Sequence, residues 1–86
     1  MNSRNREEYW IIRLKKPNGE MGYMNFKNDI TNCLKYVATF SNEKQCNYAL
    51  ENIPKSPFNS QVKRWLKEGA TVEYTKLVLE VQDGQI

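Results

Sequence analysis

The most informative absence in this sequence is histidine, which does not occur among its 86 residues. Histidine is the commonest general base and metal ligand, so the usual centre of acid–base or metal-dependent chemistry is missing. The only cysteines, Cys33 and Cys46, are too few for a disulfide framework and are weak as a zinc pair. Glu7 and Glu8 adjoin, but successive strand residues point to opposite faces and form no acid–base pair. We therefore expect no catalytic residues, no cofactor, no metal and no enzymatic activity.

Long apolar runs are also absent, since none approaches the roughly 20 residues of a membrane-spanning helix. Residues 1–8 are polar and lack the apolar segment of a signal peptide. Hydrophobic residues make up 40% of the chain, enough for a compact core, and the net charge of +3 is only mildly basic. We expect one small domain over residues 1–86, with flexible tails at 1–8 and 82–86. Its expected location is the cytoplasm, without membrane contact, and nothing indicates its oligomeric state.

The best-specified element is a β-hairpin over residues 9–27, and two turns could join its strands. A two-residue turn at Asn18-Gly19 would pair Pro17 with Glu20, although proline has no N–H to contribute to that pair. A three-residue loop avoids this loss. It places Pro17 and Asn18 in a type I turn and gives Gly19 a positive φ that closes a bulge.

The three-residue loop also sorts the side chains by face, because strand residues alternate with period two. It pairs Lys16 with Glu20, Leu14 with Gly22, Ile12 with Met24 and Trp10 with Phe26 on one face. The other face then carries Tyr9, Ile11, Arg13, Lys15, Met21, Tyr23, Asn25 and Lys27. The two-residue loop would mix the two sets, so turn chemistry and hydrophobic pattern agree on one register.

Two further strands are predicted outside the hairpin. Residues 28–33 are rich in turn formers and indicate a short helical turn or a plain loop. Residues 34–40 alternate and predict a short third strand. Residues 71–81 are rich in β-branched residues and predict a last strand. Its apolar phase shifts near Thr75 and Lys76, which a bulge there would explain.

Two helices separate these strands. Ser41 is the predicted N-cap of the first helix, whose apolar stripe runs from Cys46 to Ile53, and Pro54 ends it. Asn59 or Ser60 caps the second helix, whose buried face carries Val62, Trp65 and Leu66 and which ends at Gly69.

The resulting fold class is α+β, an antiparallel sheet of three to four strands with two helices on one face. The order is β-β-β-α-α-β, and the helices cover the face that carries Trp10. The predicted core consists of Trp10, Ile12, Met24, Phe26, Phe40, Leu50, Ile53, Trp65, Leu66, Leu77 and Leu79.

The face left uncovered is the predicted site, because it mixes aromatic, apolar and cationic side chains as protein interfaces do. Its partner-binding residues are Tyr9, Ile11, Arg13, Lys15, Met21, Tyr23 and Lys27. The same residues could stack bases and pair phosphates, or form an ordinary solvated face. A second basic surface, Lys63, Arg64 and Lys67, could contact phosphates or simply be solvated.

Part of this pattern resembles a group of known proteins. The run Tyr9-Trp10-Ile11-Ile12-Arg13, the segment Gly22-Tyr23-Met24-Asn25-Phe26, and Ala38-Thr39-Phe40-Ser41 before the helix with Ala49 carry the likeness. They look like small uncharacterised proteins of Gram-positive phages and prophages. Some similar proteins inhibit host machinery or bacterial immunity, anti-CRISPR proteins among them. The resemblance implies a phage or mobile-element protein that binds and inhibits a host protein, with a defence nuclease in the bacterial cytoplasm as the candidate target. The alternative is an accessory protein that binds nucleic acid.

Overall fold

The structure is a computed structural model that describes the backbone of residues 4–82 and the side chains of residues 7–78. Its elements are β1 (Arg4–Lys15), β2 (Met21–Met24), β3 (Ile30–Thr31), a 3₁₀ helix (Leu34–Tyr36), α1 (Glu43–Asn52), α2 (Gln61–Lys67) and β4 (Thr71–Gln82). The four strands form one antiparallel sheet in the order β3-β2-β1-β4. The predicted α+β class and element order are confirmed. No helix within residues 4–82 is long and apolar enough to cross a membrane.

The hairpin turn has the predicted three-residue geometry. Gly19 has φ +95°, and its N–H donates to the Lys16 carbonyl at 2.9 Å. The Lys16 N–H donates in turn to the Glu20 carbonyl at 2.8 Å, and Leu14 lies opposite Gly22. Turn chemistry therefore set the register, as the missing N–H of Pro17 required.

The hairpin is shorter than predicted because an asparagine turn ends β2 at Met24. The Asn25 side-chain oxygen accepts from the N–H groups of Lys27 and Asp29, both at 2.9 Å. Asn28 takes a left-handed φ of 61°, which asparagine tolerates better than most residues. This turn carries Phe26 out of the sheet, so its predicted pairing with Trp10 is wrong.

Phe40 takes the place opposite Trp10 that Phe26 was predicted to hold. The two backbones exchange N–H to carbonyl hydrogen bonds of 2.8 Å in each direction. The predicted strand over residues 34–40 is therefore wrong in its first half, where the 3₁₀ helix lies, and isolated bridges replace a ladder in its second. The third strand of the sheet is β3, which pairs with β2.

Both helices begin at side-chain caps. Asn42, one residue after the predicted Ser41, caps α1 by accepting from the Gln45 N–H at 2.9 Å. Ser60 caps α2 by accepting from the Lys63 N–H at 3.2 Å. The chain leaves α2 through Gly69 at φ +92°, a left-handed conformation suited to a helix end.

The last strand contains no bulge. Its ladder with β1 is unbroken from Arg4 opposite Gln82 to Lys15 opposite Thr71. The shift in apolar phase instead moves apolar side chains to the other face, where Leu77 lies opposite Tyr9. Residues 4–8, predicted as a tail, belong to β1; Gln82 ends β4, and residues 83–86 lie outside the described residues.

The main core lies between the helices and one sheet face, which we call the inner face. It buries Ile12, Leu14, Met24, Ala38, Cys46, Ile53, Val62 and Trp65. Trp10, Phe40, Leu50 and Leu66 from the predicted core pack against this cluster and are half-buried. Two predicted core positions are wrong: Phe26 is exposed, and Leu77 lies on the opposite, outer face. The side chain of Leu79 lies outside the described residues.

Two apolar side chains outside the main core are buried as well. Ile11 is only 2% exposed although it was predicted to form part of an open surface. Val37 is also buried, and neither residue belongs to the core under the helices. The segment from Val37 to Phe40 runs beside β1 where β2 has ended, which covers part of the outer face.

Candidate functional site

A groove with a volume of about 430 Å³ opens on the outer face beside β1. It is lined by Tyr9, Phe26, Leu34, Lys35, Val37, Thr39 and Leu77. Tyr9 and Leu77 are cross-strand neighbours on β1 and β4, so one wall is part of the sheet. The opposite wall comes from the Asn25–Asp29 turn and the 3₁₀ helix, two irregular segments that follow β2 and β3.

Phe26 projects into solvent from a well-ordered turn. Its side chain is 70% exposed, although the turn beneath it is held by the two hydrogen bonds to Asn25. The same turn is tied to the start of α2. The Gln61 N–H donates to the Asp29 carboxylate at 3.1 Å, and the Val62 N–H donates to the Asn28 carbonyl at 3.1 Å. The exposure of Phe26 is therefore a fixed feature of the fold rather than the result of a loose loop.

The 3₁₀ helix presents two more large side chains to solvent. Leu34 is 50% exposed and Tyr36 is 60% exposed. Tyr36 and Phe26 also border a shallower depression next to the groove, together with Asn25 and Lys27. The helix itself is a single turn, in which the Tyr36 N–H donates to the Cys33 carbonyl at 3.0 Å.

The charged side chains that line the groove and the adjoining depression are lysines, and the Glu7 carboxylate lies outside the lining, bound to the Tyr9 hydroxyl. Lys35 lies in its lining, with its Nζ 5.9 Å from the centroid of the Tyr36 ring, and Lys27 lies beside Phe26. None of the residues lining either depression is a carboxylate. The groove therefore joins apolar walls to a cationic rim.

Tyr9 contributes a neutral aromatic ring to the groove. Its hydroxyl donates to Glu7 Oε2 at 2.6 Å, and this hydrogen bond is the main cause that raises the pKa of Tyr9 above its usual value. The hydroxyl proton is thus already engaged by a residue outside the groove lining. The ring offers a ligand a surface for packing rather than a free donor.

The predicted partner-binding residues do not form one site. Tyr9 lines the groove and Lys27 lies at the adjoining depression. Ile11 belongs to the same sheet face but is buried. Arg13 is half-buried and forms an ion pair with Glu73 across the β1–β4 ladder.

The remaining members of that set lie nearer the hairpin turn. Tyr23 is half-buried opposite Arg13, and Met21 pairs with Lys15 at the end of the ladder. Lys15 is six positions along β1 from Tyr9, roughly 20 Å in an extended strand. A ligand centred on the groove would therefore not reach the hairpin end of the predicted face.

The predicted basic surface on α2 is partly committed to the fold. Lys63 Nζ donates to the Ser56 carbonyl at 2.7 Å, which ties the helix to the linker before it. Arg64 and Lys67 are exposed. Two exposed cations on one short helix make a weaker phosphate site than the three predicted.

Sequence reasoning missed Phe26, Leu34 and Tyr36 as site residues. The cluster of Asn25, Asn28 and Asp29 contained the signal for a turn, since asparagine and aspartate side chains bond the backbone two residues on. The alternation of apolar and polar residues over 34–40 predicts a strand. The pattern therefore gave no indication of the 3₁₀ helix in the first half of that segment.

The cysteines offer no further site. Cys33 is exposed, whereas Cys46 is buried in the core, where burial raises the pKa of its thiol. Among the residues that the structure describes, no group of three or more cysteine and acidic side chains could hold a metal ion.

Comparison with known proteins places the chain in no family: no family model, no curated protein and no solved structure matches it. The function is therefore argued from the groove and the surfaces around it.

Proposed function

We propose that this chain is a binding protein that docks a partner protein at the groove beside β1. The observation that carries the proposal is the exposure of Phe26, Leu34 and Tyr36 together on hydrogen-bonded backbone. Large apolar side chains held in water cost free energy, and contiguous patches of them mark interaction sites. Aromatic residues are also the types that most often dominate interface energy.

The chemistry of the groove defines the partner segment that fits it. Its walls accept an apolar side chain, and its volume suits one or two such groups rather than a folded element. Lys27 and Lys35 favour carboxylates on either side of that anchor. The proposed ligand is thus an apolar residue flanked by acidic residues, presented by a protein surface or an extended peptide.

The resemblance to small phage proteins extends this proposal to the role of the complex. The partner would be a host protein, and binding would inhibit it without any reaction catalysed by this chain. A bacterial defence nuclease is the first class of target to test.

Single-stranded nucleic acid is the second candidate ligand. Tyr9, Phe26 and Tyr36 supply aromatic faces near Lys27 and Lys35, the combination that stacks bases and neutralises phosphates. The aliphatic lining argues for a protein partner instead. Leu34, Val37 and Leu77 give apolar contact that phosphates and sugars do not use.

The test compares two pairs of equally exposed aromatic residues. F26A/Y36A removes the exposed aromatic side chains of the groove and of the adjoining depression, and Y48A/F58A removes exposed aromatics elsewhere on the surface. We expect the first variant to lose capture of its partner from a nuclease-treated bacterial lysate while the second retains it. Both should keep the melting temperature of the parent, because exposed side chains contribute within about 0.5 kcal/mol. Retained capture by F26A/Y36A would place the interface elsewhere.

A salt titration separates the two ligand classes. Binding to a short labelled oligonucleotide should weaken steeply between about 50 mM and 200 mM salt if phosphates provide the affinity. Protein capture through an apolar groove should persist over the same range. Tight oligonucleotide binding that F26A/Y36A abolishes would favour the nucleic-acid function.

A further inference from the structure

The strand β4 ends the sheet, and its outer edge has no partner in the part of the chain that the structure describes. It is 12 residues long, contains no proline and keeps an unbroken ladder with β1. Such an edge presents a row of backbone N–H and carbonyl groups ready to pair with another strand. Short length, proline, a bulge or charged side chains protect such an edge, and β4 has only the last of these: Glu73 and Lys76, which are ion-paired with Arg13 and Glu8 of β1.

Two exposed valines give this edge a symmetric pattern. Val72 is 36% exposed and Val78 is 39% exposed, and they are the only large apolar side chains of the described part of β4 that are so open. Both lie on the inner face, because they pair with Leu14 and Glu8 of β1. They also lie three positions to either side of Thr75.

We propose that the β4 edge pairs with the same edge of a second copy, antiparallel, about a two-fold axis at Thr75. An axis perpendicular to the sheet keeps inner faces together, so each residue meets one from its own face. Val72 then lies opposite Val78 of the second copy. The two-fold axis repeats this contact, so the dimer contains two such valine pairs. The exposed valines are covered by each other.

On the outer face, Glu73, which is ion-paired with Arg13, lies opposite Leu77 of the second copy. Thr75 meets Thr75 of the second copy, a pair that exchanges hydroxyl hydrogen bonds on the outer face. Tyr74 meets Lys76 of the second copy, an aromatic ring against a cation. Shifting the axis by one residue to Lys76 would place two ammonium groups opposite each other, which is repulsive. The result is one continuous sheet of both copies, whose contact adjoins the groove at Leu77.

The experiment uses charge pairs that exist only across the proposed contact. V72K/V78K places like charges opposite each other in the dimer, whereas V72K/V78E places opposite charges there. Within one chain the two positions are roughly 20 Å apart along the strand, so they cannot repel or attract each other directly. Both variants alter exposed side chains, so circular dichroism should show the parent fold in each.

We expect sedimentation equilibrium to show a concentration-dependent dimer for the parent chain and for V72K/V78E, and a monomer for V72K/V78K. A parent chain that stays monomeric over a wide range of concentration would overturn the proposal. So would equal dimerisation of the two double variants, because the contact would then lie elsewhere or in another register.

Discussion

At the scale of single residues, Gly19 determines how the hairpin closes. A Cβ added there would have nothing within 4 Å, so the space around the turn would accept a larger side chain. The backbone would not, because φ +95° is a conformation that a β-branched residue strongly disfavours. The requirement for glycine here is purely conformational.

We therefore expect G19V to lower the free energy of unfolding by about 1–2 kcal/mol. Urea denaturation monitored by tryptophan fluorescence measures the change. G19N is the matched control, since asparagine enters the left-handed region more readily and should lose less. Equal losses in both variants would mean that the side chain, and not the backbone, is the source of the cost.

Gly22 shows the opposite requirement in the neighbouring strand. A Cβ at this position would lie 2.2 Å from Ile30 Cγ2, so the glycine is needed for the close approach of β3. The sequence pairs Gly22 with Leu14 but could not name Ile30 as its other neighbour, because that contact depends on where the Asn25 turn returns the chain.

At the scale of secondary-structure elements, α2 is held to the sheet mainly through Trp65. The indole is buried in the core cluster, and Lys16 Nζ lies 5.1 Å from the ring centroid. That ammonium also forms ion pairs with Glu20 at 3.3 Å and Glu68 at 3.0 Å. Trp65 thus joins the helix to the core on one side and to the hairpin turn on the other.

We expect W65A to lower the free energy of unfolding by about 3–5 kcal/mol, the usual loss for a large buried aromatic side chain. Thermal and urea denaturation measure it. F58A removes an aromatic side chain that is 77% exposed and should change stability by less than about 0.5 kcal/mol. A melting temperature of W65A equal to that of the parent would contradict the assignment of Trp65 to the core.

The elements differ in how far the sequence could predict them. The hairpin register and the end of α2 depend on local chemistry at Pro17, Gly19 and Gly69, so short stretches of sequence were enough. The length of β2 depends on a competition between Phe26 and Phe40 for the place opposite Trp10, which the Asn25 turn resolves. Such a non-local outcome is not visible in periodicity.

The candidate site was predicted only in part, because it too depends on contacts between distant segments of the chain. Tyr9 was assigned to the correct face because strand parity is reliable. The burial of Ile11 and the exposure of Phe26 both follow from the path of residues 25–40. That path depends on contacts between segments far apart in the sequence, such as the hydrogen bond that the Gln61 N–H donates to the Asp29 carboxylate.

At the scale of the whole molecule, the two sheet faces have different roles. The inner face is covered by both helices and carries the main core. The outer face carries the buried Ile11 and the groove. A two-fold axis perpendicular to the sheet would leave both grooves of a dimer on one side. A partner with two copies of the acidic segment would then bind both, which raises its apparent affinity without any new contact.

The pH dependence of stability is also a property of the whole fold, because the shifted groups among residues 7–78 all have raised pKa values. Burial raises the pKa of Cys46 and of Tyr74 in the layer between α1 and β4. Hydrogen bonds to Glu7 and Glu68 raise the pKa of Tyr9 and of Lys16, respectively. Each group therefore holds its proton more tightly in the folded chain than in the unfolded chain.

Stability should then be complete below the unfolded pKa values and should fall as the pH rises through the folded ones. The ordinary thiol value is 9.0 and the ordinary tyrosine value is 10.0, so we expect the free energy of unfolding to decline from about pH 9 upward. Urea denaturation at a series of pH values from about 7 to about 11, which spans the expected decline, measures it.

C46A is the informative control. It removes the first group to titrate, and it also removes the thiolate that helps raise the pKa of Tyr74. The decline in C46A should begin about one pH unit later, near the range of the tyrosines. A parent chain whose stability stays constant or rises over this interval would show that these four groups do not gain proton affinity on folding.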